Sequence, residues 1–114
     1  MKKLEAIIRA TKFDELKEEL SKINVHFFTY YEVRGFGLEK GKPLSYRGAV
    51  YDMGYIARYK IELLIDESRV EEVINCIMNT AKTGHIGDGK IMVFPVEKVI
   101  RIRTGEMDRD AINN

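Results

Sequence analysis

The run of residues 83–90, TGHIGDGK, contains the densest group of residues suited to ligand chemistry. Glycines let the backbone approach a ligand closely, and their amide N–H groups can point at the oxygens of a phosphate. Lys90 adds a positive charge at the end of the run. A tight turn explains the same glycines, and no Ser or Thr follows Lys90 as a Walker A loop requires. The run therefore predicts either a turn or an anion-binding loop.

Arg101 and Arg103 stand two residues apart in a stretch, 97–103, whose residue types alternate. In a strand, both guanidinium groups would lie on one face, where they suit a polyphosphate. A solvated strand face or surface ion pairs explain an isolated Arg-x-Arg equally. Gly35 and Gly37 mark a second place where backbone can approach a ligand, or else a kink at a strand end.

Few other residues suit a metal or a reaction. His26, His85 and Cys76 are too few and too dispersed for a zinc site. We expect His26 to be an ordinary strand residue and Cys76 a small residue facing the core from a helix. Neither a Ser/His/Asp arrangement nor a carboxylate pair favours hydrolysis, so the sequence predicts a protein that is not an enzyme.

The composition is that of one ordinary folded domain spanning residues 1–114. Nineteen Lys and Arg against eighteen Asp and Glu leave a net charge of +1, which gives no reason to expect nucleic acid as a partner. No apolar run approaches the roughly 18–20 residues of a membrane span. A single cysteine fits a reducing compartment, so we expect a cytoplasmic location.

Two amphipathic helices are predicted from apolar residues at helical spacing. The first begins at Thr11 and buries its apolar residues Phe13, Leu16, Leu20 and Ile23. A capping box of Ser68 and Glu71 begins the second, which extends toward Gly84. Its apolar stripe consists of Val70, Val73, Ile74, Ile77, Met78 and Ala81.

Strands are expected on either side of these helices, over residues 3–9, 25–34, 59–65, 91–94 and 97–103. Residues 38–58 lack periodicity and form a connection far longer than usual, which indicates a functional or mobile loop. The tail 106–114 is polar, and we expect it to be loosely held.

This order predicts an α+β fold, a ferredoxin-like βαββαβ sandwich with a short additional C-terminal strand. Two helices would cover one face of the sheet. The other face would carry some of the aromatic residues Phe27, Phe28, Tyr30 and Tyr31. Such a face needs a cover, and association with further copies of the chain is the expected one.

The chain resembles the PII nitrogen-regulatory signal transduction proteins from its first residues, MKKLEAIIR, to IRIRTGE at 100–106. The run 83–91 looks like the family's glycine-rich nucleotide loop, and 101–106 like its C-terminal phosphate-binding strand. Residues 46–51, YRGAVY, stand where the family places its modified, partner-binding loop. The resemblance implies a homotrimer with sheets facing the centre, and ATP or ADP bound competitively in clefts between subunits.

The resemblance also implies a role for individual residues. Gly87, Asp88, Gly89 and Lys90 would cradle the phosphates from one subunit, and Arg101 and Arg103 would contribute from its neighbour. Thr29 and Leu64 would lie near the adenine, while Gly35 and Gly37 approach the nucleotide through backbone.

The long loop 38–58 matches the family's T-loop, which changes conformation with the bound nucleotide. Through it the family docks onto targets such as an ammonium transporter or a metabolic enzyme. Tyr51 matches a tyrosine that many bacterial members carry uridylylated, and Arg47 an arginine that enters a transporter pore. With Tyr46, these residues indicate partner contact, although a solvated loop aromatic explains Tyr51 as well.

Several residues depart from the family pattern. Leu38 and Glu39 replace an arginine and a glutamine, of which the glutamine helps hold the magnesium that joins ATP to 2-oxoglutarate. Glu39 can still bind Mg²⁺, but it adds negative charge beside a dianion. Arg58 replaces a lysine that pairs with a carboxylate of that ligand, which changes the contact geometry. We therefore expect ATP and ADP binding, with 2-oxoglutarate sensing weakened or lost. Two alternatives stay open: a PII-like paralogue that senses another small ligand, and a small ferredoxin-like enzyme of the phosphatase type.

Overall fold

The computed structural model of the protein describes residues 1–35, 44–46, 49–51 and 56–112, and the side chains of 1–35 and 57–112. The strands in these ranges are β1 (Lys2–Arg9), β2 (Thr29–Gly35), β3 (Leu44–Tyr46), β4 (Ala49–Tyr51), β5 (Ile56–Ile65) and β6 (Lys90–Pro95). The helices are α1 (Phe13–Lys22), α2 (Val70–Ala81) and α3 (Arg109–Ile112).

Four of the strands form one antiparallel sheet in the order β2-β5-β1-β6. With α1 between β1 and β2 and α2 between β5 and β6, this is the predicted ferredoxin-like βαββαβ arrangement. Inside the predicted long loop, β3 and β4 pair with each other as a separate two-stranded sheet. The strand after that loop begins at Ile56, three residues earlier than predicted.

The core lies between the two long helices and one face of the sheet. Alternate residues of β1 and β5 point into it because side chains along a strand alternate between faces. Its buried members from strands are Leu4, Ala6, Ile8, Ile61, Leu63 and Ile65. From the helices come Phe13, Leu16, Leu20, Val73, Ile77 and Ala81. Of the other residues predicted in these helical stripes, Ile23, Val70 and Ile74 pack against the core partly buried, and Met78 is half exposed at 51%. Cys76 packs against this core as predicted, and burial raises the pKa of its thiol.

Charged side chains occupy the centre of the opposite sheet face, and α3 lies at one end of it, where Ala111 and Ile112 line a cavity together with Leu64. Glu5, only 8% exposed, lies 2.6 Å from the Lys60 ammonium group. The hydrogen bond from Lys60 lowers the pKa of Glu5, and the same bond raises that of Lys60. Lys3 lies near both Glu5 and Glu62, at 3.6 and 3.7 Å. We call this face the open face.

The aromatic residues expected on that face divide between three places. The Tyr31 hydroxyl donates to Glu62 on the open face. Tyr30 stacks instead on Phe13 of α1, at 4.5 Å between ring centroids, and Phe28 packs against the core. Phe27 is exposed beyond the strand. The prediction that this face carries aromatic residues is confirmed only for Tyr31.

Other predicted starts of elements are also wrong, and the first helix begins at Phe13 rather than at Thr11. The second strand begins at Thr29, not at residue 25, so His26 lies in a loop, 3.4 Å from the Ser21 hydroxyl. The capping box of Ser68 and Glu71 is not formed. The Asp66 carboxylate accepts from the Ser68 amide instead, and a 3-10 turn precedes α2.

The predicted strand over 97–103 is also wrong. That segment makes one isolated bridge, between Ile100 and Met107, and residues 102–104 turn the chain back. The tail is more ordered than expected, because it forms α3 with Ala111 buried. The Arg109 side chain donates to both carboxylate oxygens of Asp66, at 3.1 and 3.2 Å.

Candidate nucleotide site in two halves

The glycine-rich loop connects α2 to β6 and lies against the end of β1. Gly84, Gly87 and Gly89 all have positive φ angles, of 89°, 112° and 96°. Such angles favour glycine. At Gly89 a side chain is also excluded by space, because a Cβ atom would lie 1.7 Å from the Ile7 carbonyl oxygen. The loop is therefore held close to the sheet by its backbone.

Asp88 organises this loop from within. One carboxylate oxygen accepts from the amides of Thr83 and Gly84, each at 2.8 Å. The other accepts from the Thr83 hydroxyl at 2.5 Å and from Arg9 at 3.0 Å. The Thr83 hydroxyl has the largest part in holding the pKa of Asp88 well below its usual range. These donors occupy both carboxylate oxygens. Asp88 therefore holds the loop in its shape, and its carboxylate does not serve as a ligand group of the predicted phosphate cradle.

Arg9 is a residue that the sequence reasoning missed. It ends β1, and besides Asp88 it donates to the Ile86 carbonyl oxygen at 2.9 Å. It thus ties the loop to the sheet at two points. No local signal marks it, since a basic residue at the end of a strand is ordinary and its partner lies 79 residues away.

Gly35 and Arg58 lie at the same end of the sheet as this loop. Arg58 pairs with Arg9 across β5 and β1, and Gly35 pairs with Ile56 at the end of β2. The Arg58 side chain lies over Gly35, where a Cβ atom would be 3.3 Å from Arg58 Nε. That nitrogen is buried and has no hydrogen-bond partner among the described residues. We call Gly35, Arg58 and residues 87–90 the loop half-site; Lys90, at its edge, is exposed.

The other predicted site residues lie toward the opposite end of the sheet. We call them the tail half-site: Thr29, Leu64, Arg101 and Arg103. Thr29 and Leu64 line one cavity on the open face, and Leu64 pairs with Lys3 near the start of β1. The C-terminal segment is held at that same end, where the Val96 amide donates to the Met1 carbonyl oxygen. Lys90 pairs with Ile7, four positions further along β1, which is roughly 13 Å away. Within one chain, the two half-sites therefore do not meet.

The two arginines do not share a strand face. Arg101 is mostly enclosed, with its side chain 15% exposed, and donates to Glu106 at 2.7 Å and to the Asp110 carbonyl oxygen at 2.6 Å. Arg103 is exposed in the turn that follows. The prediction of two parallel guanidinium groups failed with the strand on which it depended.

The remaining predicted positions fall partly outside the description. Tyr46 and Tyr51 lie in the β3–β4 hairpin, where Tyr46 pairs with Ala49 and Tyr51 with Leu44. Gly37, Glu39 and Arg47 lie outside the described residues.

Among the described residues, no three His, Cys, Asp or Glu side chains come together in a way that could hold a metal ion. None of the helices in that part of the chain combines the length and the apolar character needed to cross a membrane.

The sheet order and the two covering helices define a ferredoxin-like α+β domain that carries a glycine-rich loop at one end of its sheet. The family model of nitrogen regulatory protein P-II matches residues 1–106. Nitrogen regulatory proteins P-II of Pasteurella multocida and Azospirillum brasilense are each 50% identical to the chain over 112 residues, and that of Synechocystis sp. is 48% identical. Each of these alignments covers 98% of this chain and the whole relative. The chain belongs to the nitrogen regulatory protein P-II family, and its place in signal transduction is that of a regulator.

Proposed function

We propose that the protein binds ATP or ADP in clefts between the subunits of a homotrimer and regulates nitrogen-related targets through its T-loop, residues 38–58. The targets are of the class of an ammonium transporter or a metabolic enzyme. One observation carries the nucleotide proposal. The loop half-site with Lys90 and the tail half-site with Leu64 lie at opposite ends of the same sheet, so that two copies are needed to bring them together.

The loop half-site has the chemistry for a polyphosphate. Its backbone at Gly87 and Gly89 takes conformations that glycine favours, and Lys90 is exposed beside them. The internal bonds of Asp88 keep the loop in place without using Lys90. In the tail half-site, exposed Arg103 supplies a second cation and Leu64, 40% exposed, an apolar surface for a base. Mg²⁺ would accompany the phosphates of ATP, as oxygen ligands suit it.

The open face supports association through the sheets. Large apolar side chains lie on it around the charged centre, among them Leu64 and Phe94, each 40% exposed. Burying charges is costly unless they are paired, and here Glu5 is already bonded to Lys60. The face can therefore be covered by further copies without leaving an isolated charge.

The T-loop proposal rests on sequence for its chemistry. Tyr46, Arg47 and Tyr51 offer two aromatic groups and a cation, and the two tyrosines belong to the paired strands β3 and β4. A loop whose conformations are stabilised differently by ATP and ADP is a population-shift switch. We propose no catalytic role, and ATP turnover above about 1 per second, within the range typical of enzymes, would contradict that.

Mixed trimers test whether the two half-sites meet between subunits. Lys90→Ala removes a cation from the loop half-site, and Arg103→Ala removes one from the tail half-site. Each variant alone should lose about 1.5–3 kcal/mol of ATP binding, the usual worth of a charge-assisted contact. Co-expressed with different tags, the two variants should form mixed trimers in which about one cleft has both halves intact, as cyclic symmetry requires.

Isothermal titration of the doubly purified mixed trimer with ATP gives the result. Recovery of parental affinity at a fraction of the sites supports the proposal. If the mixed trimer binds ATP as weakly at every site as both pure variants do, the two half-sites do not meet between subunits. Parental affinity in both pure variants contradicts the phosphate assignment itself. Sedimentation of the parent as a single polypeptide contradicts the trimer.

The departures at residues 38 and 39 favour one second candidate, in which the effector is another small ligand. A thermal-shift screen of the parent with a panel of metabolites distinguishes the two, because a ligand that binds only the native state raises the melting temperature. Stabilisation by a compound other than adenine nucleotides, with none by ATP or ADP, would favour the second candidate.

A further inference from the structure

Arg101 sits at the centre of the folded C-terminal segment and already holds an anion. Its Nη1 atom lies 2.7 Å from Glu106 Oε1 and 3.5 Å from the Thr104 hydroxyl. Its Nη2 atom donates to the Asp110 carbonyl oxygen at 2.6 Å. The Nε atom is buried and has no partner among the described residues. A carboxylate of this chain thus occupies the guanidinium group that the proposed nucleotide site needs.

We infer that Glu106 is an internal competitor for the phosphate groups of the nucleotide. The guanidinium group binds carboxylate and phosphate by the same planar hydrogen-bonding geometry, so both ligands seek the same donors. A phosphate that takes the Nη1 donors of Arg101 must therefore displace Glu106 first. This inference rests on the proposed function, since it assumes that Arg101 belongs to the nucleotide site.

The two anchors of Arg101 differ in how easily they are released. The Asp110 carbonyl oxygen belongs to α3, which the Arg109–Asp66 ion pair and buried Ala111 hold against the body of the domain. Glu106 is a side chain on the turn, 48% exposed, and its removal breaks no backbone contact. Displacement of Glu106 alone leaves Arg101 attached to α3 and directed to the same place.

The competitor sets both affinity and selectivity. A ligand that needs Arg101 must supply the free energy that breaks the Arg101–Glu106 pair, and this cost lowers the affinity of every such ligand. A ligand with little negative charge leaves the pair intact, whereas a polyphosphate offers several oxygens in exchange for one carboxylate. Glu106 is therefore a specificity-determining residue, which favours the more highly charged ligand at this position.

Glu106→Gln tests the competition because it keeps the size of the side chain and removes its charge. Titration with ATP should show about three- to tenfold tighter binding than in the parent, the range expected for release of a partly exposed ion pair. Glu97→Gln removes the same charge from an exposed side chain of the same segment and should leave the affinity unchanged. Glu106→Asp, which withdraws the carboxylate from Arg101 but keeps its charge, is the second variant should Glu106→Gln fail to fold.

A second measurement separates competition from positioning. In the parent, ATP should shift the guanidinium ¹⁵N resonances of Arg101, and in Glu106→Gln the unliganded resonances should already be displaced from those of the parent. Unchanged or weaker ATP binding by Glu106→Gln, with the parent binding ATP, overturns this inference alone and makes Glu106 a positioning residue. No ATP binding by the parent or the variant overturns the proposed function together with it.

Discussion

The glycine-rich loop and the C-terminal segment are organised by opposite charges and attached to the sheet very differently. In the loop, a carboxylate, that of Asp88, gathers donors from Thr83 and Gly84, and Arg9 joins it from β1. In the tail, a guanidinium group, that of Arg101, gathers acceptors from its own segment only. The loop is therefore part of the sheet's own structure, while the tail is a small folded unit docked on it.

This difference assigns different tasks to the two halves of the proposed site. The loop half-site has its backbone fixed before any ligand arrives, which reduces the ordering that binding requires. The tail half-site offers side chains whose present partners a ligand can replace. Substitutions of the residues that hold the loop in place, Asp88 and Gly89, should therefore act mainly on folding, and substitutions of Arg103 mainly on binding.

The largest expected effect compares one glycine in each region. Gly89→Ala forces a Cβ atom to within 1.7 Å of the Ile7 carbonyl oxygen and should destabilise the domain by more than about 4 kcal/mol or prevent its folding. Gly105→Ala is the matched control in the tail, since Gly105 also has a positive φ, of 75°, but nothing lies within 4 Å of its Cβ position. It should cost only about 1–2 kcal/mol. Urea unfolding measures both, and equal losses would show that the loop is no more tightly packed than the tail.

The next effect concerns Glu39, which stands where the resemblance to the family leads us to expect a glutamine. A like charge about 4 Å from the 2-oxoglutarate dianion costs roughly 1–4 kcal/mol, or one to three decades of affinity. Glu39→Gln should therefore strengthen 2-oxoglutarate binding to the MgATP-loaded protein by that amount. Calorimetric titration provides the measurement, with Glu32→Gln as a control on the exposed side of β2. Low-micromolar binding by the parent would show that Glu39 does not weaken the site.

Sequence patterns predicted what depends on local periodicity. The apolar spacing of α1 and α2 indicated which residues enter the core, and Leu16, Leu20, Val73 and Ile77 are all buried. The alternation of residue types at 97–103 also predicted an element, a strand, from local periodicity. That prediction failed because a strand also needs a neighbouring strand with which to pair. Positive φ at Gly105 and Asp108 instead accompanies a chain that returns on itself. The Thr-Gly pair at 104–105 was the available signal of that turn.

The geometry of the candidate site depends on long-range register, which no local pattern contains. That Lys90 pairs with Ile7 and Leu64 with Lys3 places the half-sites at opposite ends of one sheet. The sequence indicated the loop and the residues near it. It did not indicate that the carboxylate oxygens of Asp88 would accept hydrogen bonds from Thr83 and Arg9. A charged residue within a glycine-rich run is compatible with binding a ligand or with holding the loop. Only the contacts distinguish the two.

The smallest expected effect compares the two aspartates that anchor these regions, Asp88 in the loop and Asp66 beneath the tail. Hydrogen bonds from Ser68 and Arg109 lower the pKa of Asp66 from 3.8 to about 2. A carboxyl group with a depressed folded-state pKa stabilises the native state above its unfolded value, and that contribution is lost as the pH falls through the folded value. For Asp66 this loss lies between about pH 4 and pH 2, and for Asp88, whose pKa is depressed further, it extends to lower pH.

Each carboxylate can be tested by its own Asp→Asn variant. At pH 7 Asp66→Asn should weaken the docking of α3, so amide exchange at Ala111 should quicken more than exchange in β1. Asp88→Asn should instead lower the global melting temperature, because the loop is tied to the sheet through Arg9. Both differences from the parent should shrink as the pH falls below 4, because the unfolded parent then takes up a proton that the native carboxylate does not, which removes the stabilisation. Asp110→Asn, on an exposed side chain of α3, controls for removal of a charge. Global destabilisation by Asp66→Asn equal to that by Asp88→Asn would mean that the tail is as integral to the fold as the loop.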